Sequence, residues 1–225
     1  MNLLVIDTAT EACSVALRTG NNVITERFEI CPQQHSQRLL PMVDEVLNAA
    51  DVEIAALDGL AFGRGPGSFT GVRIATGMIQ GLALGTGLPV AGVSTLTAMA
   101  VEVHATTGAR RVMTAIDARM NEVYFAAFEF DSGTAHTIIP EQVIPPEDAA
   151  SLVTGDYAVA GTGWQAYPAL SAICDGEPVV RYPNARFMIS EADRLFVLGQ
   201  ASSAANIEPV YLRDKVTWKK LPGRE

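Results

Sequence analysis

Lysine is nearly missing from this 225-residue chain: its three copies, Lys215, Lys219 and Lys220, all lie near the C-terminus. A phosphate-binding loop of the G-x-x-x-x-G-K-[ST] type is thereby excluded from the body of the sequence. Cysteine is sparse too. Cys13, Cys31 and Cys174 are widely spaced and form no C-x-x-C, which argues against a disulfide framework or a zinc site and predicts a reducing, cytoplasmic setting. No apolar run reaches membrane-spanning length, and Asp7 interrupts LLVI before a secretory segment can develop. A soluble protein is expected. Positive charge is short overall, with 16 Lys and Arg against 25 Asp and Glu for a net −9, and this disfavours strong independent binding to RNA or DNA. The basic tail from Arg213 to Arg224 is the exception. Its charges are few and interrupted, so a solvated terminal segment stands beside an RNA contact.

What the chain has is apolar content, 48% of residues, enough to bury one large core or two modest ones. Its most distinctive stretch is LDGLAFGRGPGSFTGVR, Leu57 to Arg73, which predicts a short buried strand to Phe62, a glycine loop, and a helix capped by Ser68. Two readings of that loop stay open: an anion cradle at a helix N-terminus, or glycines that let strand and helix pack closely. Before it, Asn2 to Ile30 predicts three strands joined by turns, with Asp7 closing the first; its carboxylate either faces a cleft or bonds local amides in the turn TAT. Ser36 to Ala50 predicts an amphipathic helix with the apolar stripe Leu39, Leu40, Val43, Val46, Leu47 and Ala50, its start blurred by Pro41. His35 just ahead has no histidine four residues on and reads as a capping or surface group. The helix after the glycine loop carries Gly77, Gly81 and Gly85 at intervals of four beyond Arg73. Each interior glycine costs about 1 kcal/mol relative to alanine, so the ridge predicts close approach of another backbone, either the chain's own sheet or another subunit. A strand from Leu88 to Val93 and a helix capped by Ser94 and running to about His104 follow.

At Arg111 the chain begins again. VMTAIDARMNEVYFAAF repeats the character of LLVIDTATEACSVAL, placing Asp117 against Asp7 at an offset of 110 residues, and YAVAGTGW later echoes LAFGRGPG. Two matches in one order predict two related halves, residues 1–108 and 109–225. Pro140 to Asp148 is expected to be a connection, Ser190 to Ala205 a last helix that can pack back on the first half, and PVYLRD the closing segment.

Taken together, LLVIDTATEACSVAL, QHSQRLLPMVDEVL, GRGPGSFTGVRIATG, AIDARMNEVYFAAF, GTGWQAYP and EPVYLRDKVTWKKLPG closely resemble the bacterial TsaB (YeaZ) family over nearly the whole chain. The resemblance implies an α/β fold of the actin, sugar kinase and Hsp70-like (ASKHA) type, each lobe a mixed sheet flanked by helices. It also implies a non-catalytic subunit that pairs with TsaD, with the ATPase TsaE as third member, for threonylcarbamoylation of N6 of adenosine 37 in tRNAs reading codons that begin with A. Where TsaD carries a metal-binding histidine pair, this chain has Thr95 and Met99, neither suited to that nitrogen-donor site. The turns that contact phosphate in kinases of the fold read DTAT and DARM, which puts Arg119 and Met120 in the way of a nucleotide's phosphates. No catalytic residue, metal or cofactor is expected. The expected partner surface is Leu39, Leu40, Val43, Val46 and Leu47 with Phe69, Thr70, Arg73, Gly77, Met78, Gly81 and Gly85. It would serve TsaD, or a homodimer when the chain is alone, with tRNA reached only through the complex. The rival readings are an enzyme, either an ATP-dependent kinase or a metallopeptidase, and a purely self-associating structural protein.

Overall fold

The computed structural model describes residues 1–174 and 177–213; most of the basic tail, with all three lysines, lies outside the described residues. The first sheet takes its hydrophobic centre from β1 (Leu3–Asp7), buried along its whole length, as a strand covered on both faces must be. β2 (Ala12–Arg18) and β3 (Ile24–Ile30) continue from it antiparallel, while β4 (Gly59–Gly65) and β5 (Val90–Ser94) add in parallel, giving the order β3-β2-β1-β4-β5. The second sheet, β6 (Arg111–Asp117), β7 (Val123–Asp131), β8 (Thr134–Ile144) and β9 (Ala158–Ala160), has the order β8-β7-β6-β9. It repeats the β3-β2-β1-β4 part of the first sheet in order and direction. Even the place of β5 is partly filled, because Val180 bridges Ala160 in parallel.

Helices α1 (His35–Ala49) and α2 (Phe69–Thr86) cover one face of the first sheet, where Leu39, Val43 and Val46 meet Leu4, Ile6 and Phe62. α3 (Thr95–Thr107) lies between the sheets. Its Ala98 packs on the first, while Leu96, Met99, Ala100 and Val103 pack on the second. Three short helices, α4 (Pro146–Ser151), α5 (Gly163–Ala166) and α6 (Pro168–Ser171), close the far face of the second sheet around the buried Trp164. The last helix, α7 (Ile189–Val197), returns to the first sheet, where Ile189 and Ala192 join Leu3 and Val5. The 108/109 boundary thus separates the sheets but not the layers between them.

Three local expectations need correction. β4 runs on to Gly65, pairing Gly63 with Val93 and Gly65 with Ser94, so two glycines of the supposed loop are strand residues. Pro140 lies inside β8, not in a connection; an edge strand beside a register shift can spare the missing N–H. The last helix stops at Val197 and not near residue 205, because Gly199 at φ +68° turns the chain out of the helix.

Candidate partner interface

α1 and α2 lie side by side on one face of the first sheet, so their outer surfaces look the same way. α2 is fixed at its start by three close approaches. Ser68 accepts a hydrogen bond from the Gly71 N–H, Thr8 donates its hydroxyl to the Gly71 carbonyl at 2.7 Å, and a side chain at Gly71 would run into the Thr8 carbonyl oxygen. Gly67 is held just as tightly against Ala9. Both glycines serve packing between the turn after β1 and the start of α2.

Gly77, Gly81 and Gly85 are different. A Cβ built on any of the three meets nothing within 4 Å, so the ridge faces away from the chain's own sheet. Around it Leu84 is 70% exposed and Phe69 53%, with Thr70 and Arg73 also outside and Met78 half-buried against the core. On α1 the structure corrects the expectation. Leu39, Val43, Val46 and Leu47 are buried against the sheet and offer no surface; of the expected stripe only Leu40, 45% exposed, reaches outward, beside Gln37, Pro41 and Asp44. The apolar stripe of an amphipathic helix has one core to fill, and here the lobe's own sheet takes it. The outward α1 surface is polar with one leucine, and the shallow ground lies on α2.

Sequence reasoning missed how the C-terminal segment meets this surface. Tyr211 packs on Phe69 with ring centroids 5.6 Å apart, and its hydroxyl accepts a hydrogen bond of 2.8 Å from Arg73 Nε. The Arg73 guanidinium lies 3.6 Å above the Phe69 ring. Two residues on, Arg213 reaches the second lobe, donating to the Ala118 carbonyl and pairing with Glu122, while the Val210 N–H bonds the Arg64 carbonyl of the first. Together with Arg64–Glu141 at 3.2 Å, this strap ties the lobes.

Between the lobes lies a cleft of about 1,090 Å³. The two aspartates at the matching strand ends are not equivalent there. Asp7 is fully buried, its Oδ1 accepts the Ala9 N–H at 3.1 Å, its Oδ2 has no partner, and burial pushes its pKa up to about 7. Of the two readings of Asp7, bonding local amides is the observed one. Asp117 does line the cleft, with its oxygens taken by the Arg119 N–H and guanidinium and by the Tyr167 hydroxyl at 2.7 Å. Burial, then this bond to Asp117, pushes the Tyr167 hydroxyl up to about 12. Arg119, Met120 and Asn121 form a turn with positive φ at all three residues, and Arg119 also approaches Glu11 across the cleft at 3.6 Å. Thr95 and Met99 are both fully buried, Met99 in the core beneath the second sheet. Among the described residues no three His, Cys, Asp or Glu side chains group as metal ligands, and no helix is long and apolar enough to cross a membrane.

A TsaD family model, described as tRNA N6-adenosine threonylcarbamoyltransferase, matches residues 22–208. Over its full length the chain is 47% identical to the tRNA threonylcarbamoyladenosine biosynthesis protein TsaB of Escherichia coli K12, all of which is covered. It is 45% identical to the protein of the same name from Haemophilus influenzae, with 100% of this chain and 99% of that one covered. The solved structure of YeaZ from Pseudomonas aeruginosa superposes with a TM-score of 0.83 at 41% identity, over 94% of this chain and 99% of that one. These likenesses and the two matching mixed sheets flanked by helices agree on the ASKHA architecture. With a full-length relative at this identity, the same strand order in both lobes and the predicted motifs in place, the chain belongs to the TsaB family.

Proposed function

We propose that the chain is a non-catalytic scaffold of tRNA threonylcarbamoyladenosine biosynthesis which pairs through α2 and the outer edge of α1 with TsaD, with TsaE joining the pair. The role in that pathway follows from family membership. The pairing rests on one observation, the open ridge of Gly77, Gly81 and Gly85 flanked by the exposed Leu84, Leu40 and Phe69. A helix surface without side chains lets a second helix approach closely, and exposed apolar residues beside it supply the area that desolvation rewards. The chain itself matches the TsaD family model, so a TsaD subunit presents a related first lobe, and the two can pair about a pseudo-twofold axis. The same geometry gives a homodimer when TsaD is absent.

Co-purification with tagged TsaD tests the pairing: a stable complex is expected, and failure of the two to associate at micromolar concentration would refute it. The non-catalytic reading gives a further prediction. Purified chain should show no threonylcarbamoyl transfer, kinase or peptidase turnover, because Thr95 and Met99 are fully buried and offer no nitrogen ligand, and Asp7 is withdrawn from the cleft. Turnover that persists after every partner protein has been removed would overturn it.

A further inference from the structure

Phe69, Arg73, Gly77, Gly81 and Gly85 recur at intervals of four along α2 and so form one row on its surface. Toward the C-terminus the row is bare, as the three glycines meet nothing within 4 Å. Toward the N-terminus it is built up. The Arg73 guanidinium lies 3.6 Å above the Phe69 ring and 5.6 Å from the Tyr211 ring, and the two rings pack on each other. All three residues are exposed, Tyr211 by 43%, so the shallow ground of the ridge ends against an open stack of two rings and a cation. Aromatic and arginine side chains dominate the affinity of many protein interfaces, and this stack is continuous with the ridge.

Tyr211 is the one member of the stack that α2 does not carry. It sits outside any helix or strand, and three sets of contacts hold it. Before it, the Val210 N–H donates to the Arg64 carbonyl at 2.8 Å, and Gly65, at φ +97°, leaves room for the Val210 carbonyl, which a Cβ there would meet at 3.0 Å. At the ring itself, Arg73 Nε donates to the tyrosine hydroxyl. After it, Arg213 donates to the Ala118 carbonyl at 3.0 Å and the Arg119 carbonyl at 3.3 Å and pairs with Glu122. The Arg213 side chain is only 17% exposed, so the second lobe takes it up and leaves little of it to a partner.

We propose that Tyr211 belongs to the surface that TsaD covers, and that Arg213 is a positioning residue through which the second lobe holds Tyr211 ready for pairing. The inference rests on the pairing proposed above and extends it beyond α1 and α2. A tyrosine fixed before association loses less conformational freedom on binding than one on a loose segment, so the anchor in the second lobe raises affinity without touching the partner.

Isothermal titration of the full chain into purified TsaD tests this with native protein, Tyr211→Phe, Tyr211→Ala, Arg213→Ala and the double alanine variant. Tyr211→Ala should bind about tenfold more weakly, Tyr211→Phe, which keeps the ring, within about twofold of native, and Arg213→Ala between them. The double variant should bind no more weakly than Tyr211→Ala, since Arg213 acts through the tyrosine. If Arg213 only held the lobes together, its loss would leave TsaD affinity at the native value whatever happened to the melting temperature. Hydrogen exchange supplies a readout that needs no variant to fold: the amides of Tyr211 to Arg213 should exchange at least about tenfold more slowly in the native complex than in the free monomer. Native affinity in Tyr211→Ala or Arg213→Ala, additive losses in the double variant, or unchanged exchange in this segment would overturn the inference and leave pairing through the ridge standing. Absence of binding by the native chain would overturn both.

Discussion

Gly81→Leu should abolish pairing with TsaD, and homodimer formation, while leaving the isolated chain folded. Open space surrounds the position, so the leucine meets nothing in its own subunit. Replacing an interior helix glycine should even raise intrinsic helix stability by about 1 kcal/mol, holding or slightly raising the melting temperature. At the interface the same side chain separates two backbones that the ridge allows to touch. A stable contact needs roughly 1,200 Å² or more of buried surface, and two helices held apart along their seam cannot supply it. Light scattering should report a monomer, and tagged TsaD should no longer retain the variant. Gly71→Ala is the contrasting control. Its Cβ would collide with the Thr8 carbonyl, so the first lobe should lose about 3 kcal/mol or more through overpacking and strain, and the variant should melt early or fail to fold. Retention of Gly81→Leu in the complex, or its unfolding, would remove the glycine ridge from the interface.

Asp7→Asn should change how stability depends on pH. Asp7 has an ordinary pKa of 3.8 and a folded-state value of about 7, raised by burial and only partly offset by the Ala9 N–H. A carboxyl raised on folding carries no penalty below pH 3.8, where both states are protonated. Between 3.8 and about 7 the unfolded chain ionises first, and stability falls until the folded form ionises too. The full span corresponds to about 4 kcal/mol, an upper figure for a fully buried group. Glu102, pushed up to about 7 by burial and then by Glu26, acts in the same direction, but its partial exposure makes its share smaller. Asparagine cannot ionise. Its amide leaves buried donors without acceptors, at a cost of about 1 to 3 kcal/mol at any pH. The two stability curves should therefore cross: native protein ahead at pH 4, Asp7→Asn ahead at pH 8. Urea unfolding at pH 4, 5, 6, 7 and 8 checks this, and parallel curves would show that Asp7 ionises normally in the folded state.

The two lobes were legible in the sequence because a strand buried on both faces writes an uninterrupted apolar run, and LLVI with its counterpart VMTAI wrote it twice at a fixed offset. Ser68 and Ser94 were legible as caps for a local reason: each bonds an amide three residues ahead, to Gly71 and Thr97. The ridge of Gly77, Gly81 and Gly85 could be seen, but not which way it faced. Spacing gives a helix face its composition, and only packing gives it a direction. The same ambiguity misled the reading of Leu39, Val43, Val46 and Leu47, whose apolar period suits a core and a partner equally until the sheet beneath claims them. The strap was beyond the sequence, since Arg73 and Tyr211 are far apart along the chain and meet only where the C-terminal segment crosses between the lobes.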